Sequence, residues 1–473
     1  MFKRFLSSLL MLFALATFAQ EKRELHILFT NDMHAAIENM PRLGFVADSL
    51  RALYPDLLIL STGDNRSGDP INDMYEPAAY PMAALMNQIG FHATAMGNHE
   101  FDSGQYGLAQ LIDLCTFPTL CANMEADPKF KMHVKPYTTF DAGGIKVGVI
   151  GITALGSMGV PESHPSRLVD IKFMEPLECI KQYQFLREQC DVVVLLSHLG
   201  YKTDVAFSAD LPWVDIIVGG HSHTQLQGGE IHNGLMITQN MKSLPFATHS
   251  TLTLQDGQVT DKKAELIPIA HHKGENKTLR ELVRYFSENP AFKRVLAVAE
   301  APFENKEELG SLMCDAYIAI GGGEISYQNA GGVRIEHLDA GDITVSDILK
   351  MDPFMNDAVE MHVTGQELHD MLIACYDNDK QRFPFVGGIT CNITTDPATN
   401  NVAKLVILDK NGKKLNMKKT YHVISNSYSV AVSPASQKDT GSSLGMPTSE
   451  VVMKYLEQQQ TVNYQGRRCL NIQ

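Results

Sequence analysis

The chain has 473 residues, with 40 Lys and Arg against 54 Asp and Glu, a formal charge of -14 and 44% hydrophobic residues. That length exceeds what one hydrophobic core organises, so two or more domains are expected. The acidity, with no basic cluster longer than a few residues, argues against a nucleic-acid polymer or an anionic membrane as main partner.

Lys3 and Arg4 precede an apolar run from Phe5 to Phe18 and a small-residue cut near Ala19, which reads as an export signal over residues 1–20. The mature protein is therefore expected to be exported, periplasmic or extracellular. No later stretch approaches the roughly 18 apolar residues a membrane span needs, so none is expected. Eight cysteines are scattered without CxxC pairs, which excludes a zinc ribbon or a redox motif. Export permits disulfides, but a chain of this size folds without them, and no pairing is assigned.

From Leu25 to about Leu254, short apolar runs alternate with helical segments, the pattern of β-α units around a sandwiched sheet in an α/β protein. The runs are Leu25 to Thr30, Leu57 to Ser61, Ala93 to Met96, Ile145 to Ile152, Val192 to Leu196 and Ile216 to Val218, with helices over Tyr80 to Ile89 and Pro176 to Glu188. Their near-continuous apolarity predicts strands covered on both faces. A polar linker at His271 to Asn276 leads into a helix carrying Leu279, Leu282, Val283 and Phe286 at helical spacing. Beyond it, strands over Ala358 to Val363, Val402 to Leu408 and Tyr421 to Ile424, with a helix from near Gln366, form a second unit. The expected divisions are 21–270, a linker and bridging helix at 271–293, and 294–473.

Five apolar runs of the first unit each end in a metal-competent or proton-carrying side chain. The pieces are Asp32-Met33-His34, Gly63-Asp64-Asn65, Gly97-Asn98-His99-Glu100, Ser197-His198 and Gly219-Gly220-His221-Ser222-His223. Each alone reads as an ordinary turn or cap. Together they converge, because sandwiched sheets collect ligands outside the carboxyl ends of their strands. Oxygen and imidazole ligands suit zinc, manganese or magnesium. Two such ions can bind both the attacking and the leaving oxygen in a displacement at phosphorus, with one carboxylate bridging, for which Asp64 is the natural candidate.

These residues resemble the calcineurin-like metallophosphoesterases, and the run Gly97-Asn98-His99-Glu100-Phe101-Asp102 resembles their 5'-nucleotidase and UDP-sugar hydrolase branch. The resemblance implies a four-layer β-sandwich domain flanked by helices, plus a smaller α/β C-terminal substrate-binding domain. It further implies two divalent ions, zinc or manganese first, with magnesium, cobalt or calcium as alternatives. Asp32, His34, Asp64 and His223 would hold one ion, and Asp64, Asn98, His198 and His221 the other. Many relatives have glutamine at the position of His223. His99 would stabilise the phosphoryl oxygens, with Asp102 holding its ring charged and oriented, and a metal-bound water or hydroxide would attack. A helix N-cap is the ordinary alternative for Asp102.

In the second unit, Asn329-Ala330-Gly331-Gly332-Val333-Arg334 and Asp352-Pro353-Phe354-Met355-Asn356 resemble that family's substrate loops. Arg334 would then meet a substrate phosphate or carboxylate, with a structural salt bridge as its ordinary alternative, Asn329 the base or ribose, and Phe354 would lie near the nucleoside pocket. Two departures stand out. Ser311 replaces the family's Asn or Arg in Glu308-Leu309-Gly310-Ser311, and the stretch after Asn426-Ser427-Tyr428 lacks the Gly-Gly-Asp-Gly-Tyr run. Tyr428 remains able to stack on a base, whereas Asp439 cannot be aligned with the family's aspartate.

The implied activity is hydrolysis of extracytoplasmic nucleotides, or of a related small phosphate ester, to nucleoside and phosphate. Alternatives are a nucleotide-sugar or 2',3'-cyclic nucleotide phosphohydrolase, a thiosulfohydrolase, or a silent nucleotide-binding protein. Oligomeric state is left open.

Overall fold

The computed structural model describes residues 22–379, 381–433 and 438–472, so the export signal read over 1–20 lies outside the described residues. Two six-stranded sheets dominate the first half. One runs, in spatial order, Gln258–Pro268, Phe246–Gln255, Lys22–Thr30, Leu58–Ser61, Ala93–Ala95 and Thr119–Leu120. The other runs Glu230–His232, Leu235–Thr238, Ile216–Gly219, Val192–His198, Ile145–Thr153 and Tyr137–Ala142.

The alternation of side chains along each strand builds the layers. Leu25, Ile27 and Phe29 of one sheet face Val192, Val194 and Leu196 of the other in a core between the sheets. Leu28 and Ile59 point the opposite way, under the helices Met40–Leu53, Tyr80–Ile89 and Lys277–Ser287. Val193, Leu195 and Ile217 point to the outer face of the second sheet, against Ile180, Leu186 and Trp213. Helix, sheet, sheet, helix is thus the layer order, and covering on both faces explains the continuous apolar runs. Each such fully buried aliphatic side chain contributes about 1.5–3 kcal/mol.

The helix expected from spacing after the linker is Lys277–Ser287, started by Asn276, whose Oδ1 accepts from the Leu279 amide at 3.1 Å. It lies so close to Met40–Leu53 that a Cβ on Gly44 would come within 2.1 Å of Leu279 Cδ1. One expectation fails in detail. The helix read over Pro176 to Glu188 breaks into Pro176–Lys181 and Leu186–Gln189. Between them the backbone closes in tighter turns, each amide bonding the carbonyl three residues back, and Tyr183 and Phe185 pack with Tyr137.

The second half has its own core, running from Leu296 to Cys469. Its five-stranded sheet has the order Phe385–Gly387, Ile325–Gln328, Thr420–Asn426, Asp357–Thr364 and Ser442–Pro447. Ile325–Gln328 and Thr420–Asn426 are parallel neighbours, so Asn329 and Tyr428 leave the sheet at the same edge. Thr364 and Glu367 form a reciprocal capping box at the start of the helix Gly365–Asn378. All eight cysteines are free thiols, seven of them buried.

Candidate metal centre and cleft

In the first sheet Lys22–Thr30, Leu58–Ser61 and Ala93–Ala95 run parallel, as do Val192–His198 and Ile216–Gly219 in the second. Their five carboxyl ends therefore open on one edge, where the structure brings Asp32, His34, Asp64, Asn98, His198, His221 and His223 together. Three groups of potential ligand atoms lie within 4.8 Å of one another: Asp32, His34 and His223; His34, Asp64 and His99; Asp64, His198 and His221. Asp64 belongs to two of them. Its Oδ1 accepts the His99 amide at 2.8 Å, while Oδ2 lies 3.2 Å from His198 Nε2 and 3.8 Å from His34 Nε2.

The backbone is bent to make this possible. Asp32, His34, Asp64, His221 and His223 have φ of 46°, 45°, 50°, 71° and 56°, left-handed conformations that cost non-glycine residues of order 1–3 kcal/mol each. Five in one cluster show that packing and hydrogen bonds determine these positions. Glu100 is the main brace: its carboxylate accepts the amides of Asp64, Asn65 and Gly97 at 2.8, 2.8 and 2.7 Å. A Cβ on Gly97 would come within 2.2 Å of Asp64 Oδ1, so the turn admits no side chain there.

The donor set fits divalent cations. His198 Nδ1 donates to the Thr62 carbonyl at 2.8 Å and His34 Nδ1 to the Ser67 carbonyl at 3.1 Å. A carbonyl only accepts, so both rings direct the lone pair of Nε2 inward. His198 Nε2 is buried with no hydrogen-bond partner, and it faces carboxylates. Burial opposes charge on His198, yet Asp64, Asp32 and Glu100 raise its pKa to about 9. That demand for positive charge is one a metal ion satisfies. Burial would raise the Asp32 carboxyl, but His223 and His198 overcome it and hold it at about 2. Burial and the Arg334 guanidinium push His34 well below its ordinary value, which leaves it a neutral ligand. Asn98 Oδ1 and His221 Nδ1 stand 3.1 Å apart.

Beside the cluster, His99 Nδ1 is 2.8 Å from Asp102 Oδ2, which also accepts from Ser67 Oγ at 2.6 Å. Asp102 is no helix cap. Although burial raises its carboxyl, His99, Arg167 and Arg66 hold it far below the carboxylate range.

A cleft of about 400 Å3 opens over the cluster and is walled by the second half of the chain. Arg334 Nη2 lies 3.0 Å from His34 Nε2, the Phe354 ring stacks on His99 at 5.5 Å, and the Arg334 guanidinium sits over the Phe354 ring at 5.5 Å. Asn329 lines the cleft with its Oδ1 engaged by Asn426 and Ser429. Tyr428 lines it too, its phenol pushed up by burial and so a neutral hydroxyl. Ser311 is 2% exposed in the core and is not among the residues that wall the cleft. Asp439 accepts the amides of His362 and Gly441 and serves as a turn brace, not a cleft residue.

Sequence reasoning missed several cleft residues. Glu100 stands in the run after Gly97, yet the sequence alone gave it no role. Glu162 and Ser163 arrive from an irregular loop, Arg167 ends the short 3-10 helix Pro165–Arg167 that follows it, and Lys242, Lys306 and Glu336 come from three separate segments. Both ammonium groups meet one oxygen, Glu336 Oε1, at 3.4 and 3.1 Å. No spacing signal links such positions.

The layered sheets, the carboxylate and imidazole cluster at their edge and the second unit over it define a metal-dependent phosphoester hydrolase of two-domain α/β build. Comparison with known proteins agrees. Residues 25–225 match the calcineurin-like phosphoesterases and residues 287–432 match the 5'-nucleotidase C-terminal domain. A 5'-nucleotidase of Vibrio cholerae is 28% identical over 93% of this chain and 91% of its own length. The crystal structure of a 5'-nucleotidase precursor from Thermus thermophilus superposes with a TM-score of 0.84 at 24% identity, over 95% of this chain and 99% of that one. A sulfate thiohydrolase of Thermus thermophilus shares the fold at a TM-score of 0.76 and 17% identity, over 92% and 82%. The chain belongs to the 5'-nucleotidase family of metallophosphoesterases, enzymes that depend on divalent metal ions.

Proposed function

We propose that the protein releases phosphate from nucleotides outside the cytoplasm, using two divalent ions of which zinc or manganese suit the donors best. Asp32, His34, Asp64 and His223 would hold one, and Asp64, Asn98, His198 and His221 the other. The observation that carries this is the placement of Asp64 in two ligand groups, one oxygen held by the His99 amide and the other between two imidazoles. When bound, the ions supply Lewis acidity at the phosphoryl group and make a water acidic enough to attack.

The chain's own residues do the rest. His99 is oriented by Asp102 through Nδ1, which leaves Nε2 to meet phosphoryl oxygens as negative charge develops on them. Arg334 offers a planar fork for the substrate's anion. Lys242 and Lys306, tied to Glu336 at the cleft wall, give an acidic protein the local positive charge an anionic substrate needs. Phe354 and Tyr428 present the aromatic surface for a base.

The test is phosphate release by the metal-reconstituted mature protein from nucleoside mono-, di- and triphosphates, nucleotide sugars, cyclic nucleotides and simple phosphate esters, with Asp64→Ala as control. Turnover of nucleotides that the control abolishes is the expected result. Two bound metals without turnover on any of these substrates would sink the reading.

A further inference from the structure

Arg167 holds two partners that belong to different halves of the chain. Its Nη1 lies 3.3 Å from Asp102 Oδ1, and its Nη2 donates to the Phe354 carbonyl at 2.8 Å. Asp102 divides its oxygens accordingly: Oδ2 takes His99 Nδ1 and Ser67 Oγ, and Oδ1 takes Arg167 together with Ser163 Oγ at 3.4 Å. The carboxylate is pinned from both sides. Phe354, whose carbonyl receives the other arm of the guanidinium, lays its ring on His99 at an interplanar angle of 23°.

These contacts close a ring of interactions: His99 to Asp102, Asp102 to Arg167, Arg167 to the Phe354 backbone, and the Phe354 side chain back to His99. The first three residues come from the metal-binding half, and the fourth from the half that walls the cleft. We propose that Arg167 is a positioning residue, which makes the alignment of the His99–Asp102 pair depend on the second half of the chain being seated over the metals. The guanidinium suits this task because its fork serves two acceptors in different directions at once, whereas an ammonium group has no fixed second arm. Only 18% of the Arg167 side chain is exposed, so water does not compete freely for either arm.

A mere latch between the halves would act on substrate capture, and therefore on KM. A positioning residue acts on the chemical step through Asp102, and therefore on kcat. The inference rests on the hydrolase reading above, and the experiment separates the two. The metal-loaded mature protein, Arg167→Met, Arg167→Lys, Asp102→Asn and the double variant Arg167→Met with Asp102→Asn are compared on the best nucleotide substrate, with bound metal counted in each.

We expect Arg167→Met to lower kcat about ten- to a hundredfold, in the range of a proton-handling or donor group out of place. KM and metal content should stay within about twofold of wild type. Arg167→Lys should recover part of the loss by keeping the Asp102 contact, and it carries the test where the methionine variant does not fold. In the Asp102→Asn background, Arg167→Met should cost little more, because coupled residues are non-additive. A rise in KM at constant kcat, or losses that multiply in the double variant, would overturn the positioning role. Wild-type protein inactive on every phosphate ester would overturn the hydrolase reading itself.

Discussion

The two walls of the cleft are built to different standards. On the metal side, Asp32, Asp64 and His198 are essentially without solvent exposure, and their backbones and ring nitrogens are tied to carbonyls, amides and the Glu100 carboxylate. On the opposite wall, Arg334, Phe354 and Tyr428 are only partly buried, and Arg334 and Phe354 reach across to the metal side through single side chains. A cluster of left-handed ligands must be fixed in advance, because cations tolerate little error in ligand position. A wall that selects among substrates gains from adjustable contacts. The difference teaches that changes on the metal side should act on kcat and metal content, and changes on the far side on KM.

The first way to break that division is Asp64→Ala, which removes the shared ligand. It should reduce turnover to background, a loss of more than about a thousandfold, with less metal bound. His99→Ala should keep metal content and cost about a hundred- to a thousandfold in kcat, as expected for one donor to developing charge. If it raised KM and left kcat alone, the assignment of His99 to the metal side's chemistry would be wrong. Glu100→Gln tests the brace: it retains shape but weakens acceptance of three amides, and metal affinity should fall about ten- to a hundredfold. Titration with the metal while monitoring activity and Tm reads it directly.

The metal side was also the legible side. Its ligands follow strand ends at short and regular intervals, so the rule that apolar runs deliver polar ends to one edge gathered Asp32, Asp64, Asn98, His198 and His221 without a structure. The same runs pointed to strands covered on both faces, whereas the four-layer build came from the family resemblance. The brace by Glu100 was not legible, because a carboxylate binding three backbone amides has no spacing of its own. Arg167, Lys242, Lys306 and Glu336 were invisible for a related reason: they meet across the two halves, from segments whose local sequence signals only loops and a helix start. The split of the helix after Pro176 depended on aromatic packing among Tyr137, Tyr183 and Phe185, a tertiary contact that helical spacing does not report. Tyr428 and Asp439 show both outcomes within one segment, the first in the cleft and the second bracing a turn.

On the far wall, Arg334→Met should raise KM about tenfold or more, the scale of a lost charge-assisted hydrogen bond, with a smaller change in kcat. The finest test concerns Lys242, which belongs to the metal-binding half and pairs with Glu336 of the far wall. Burial lowers its ammonium to about 8, with Arg334 and Lys306 pushing the same way against Glu336. It is charged below that pH and neutral above it. A substrate phosphate monoester, whose second pKa is about 6, stays doubly negative throughout this window. KM should therefore be lower on the acid side and rise severalfold as pH climbs through about 8, and Lys242→Met should raise KM at neutral pH and flatten the step. The comparison is made between about pH 7 and about pH 9 at saturating metal, because the pH dependence of kcat then reports a separate set of groups. An identical KM step in wild type and variant would place the titrating group elsewhere and remove Lys242 from substrate binding. A step confined to wild type would show that substrate affinity is set at the seam between the walls, by one lysine of the metal-binding half that faces Glu336 of the far wall and that burial has brought near neutrality.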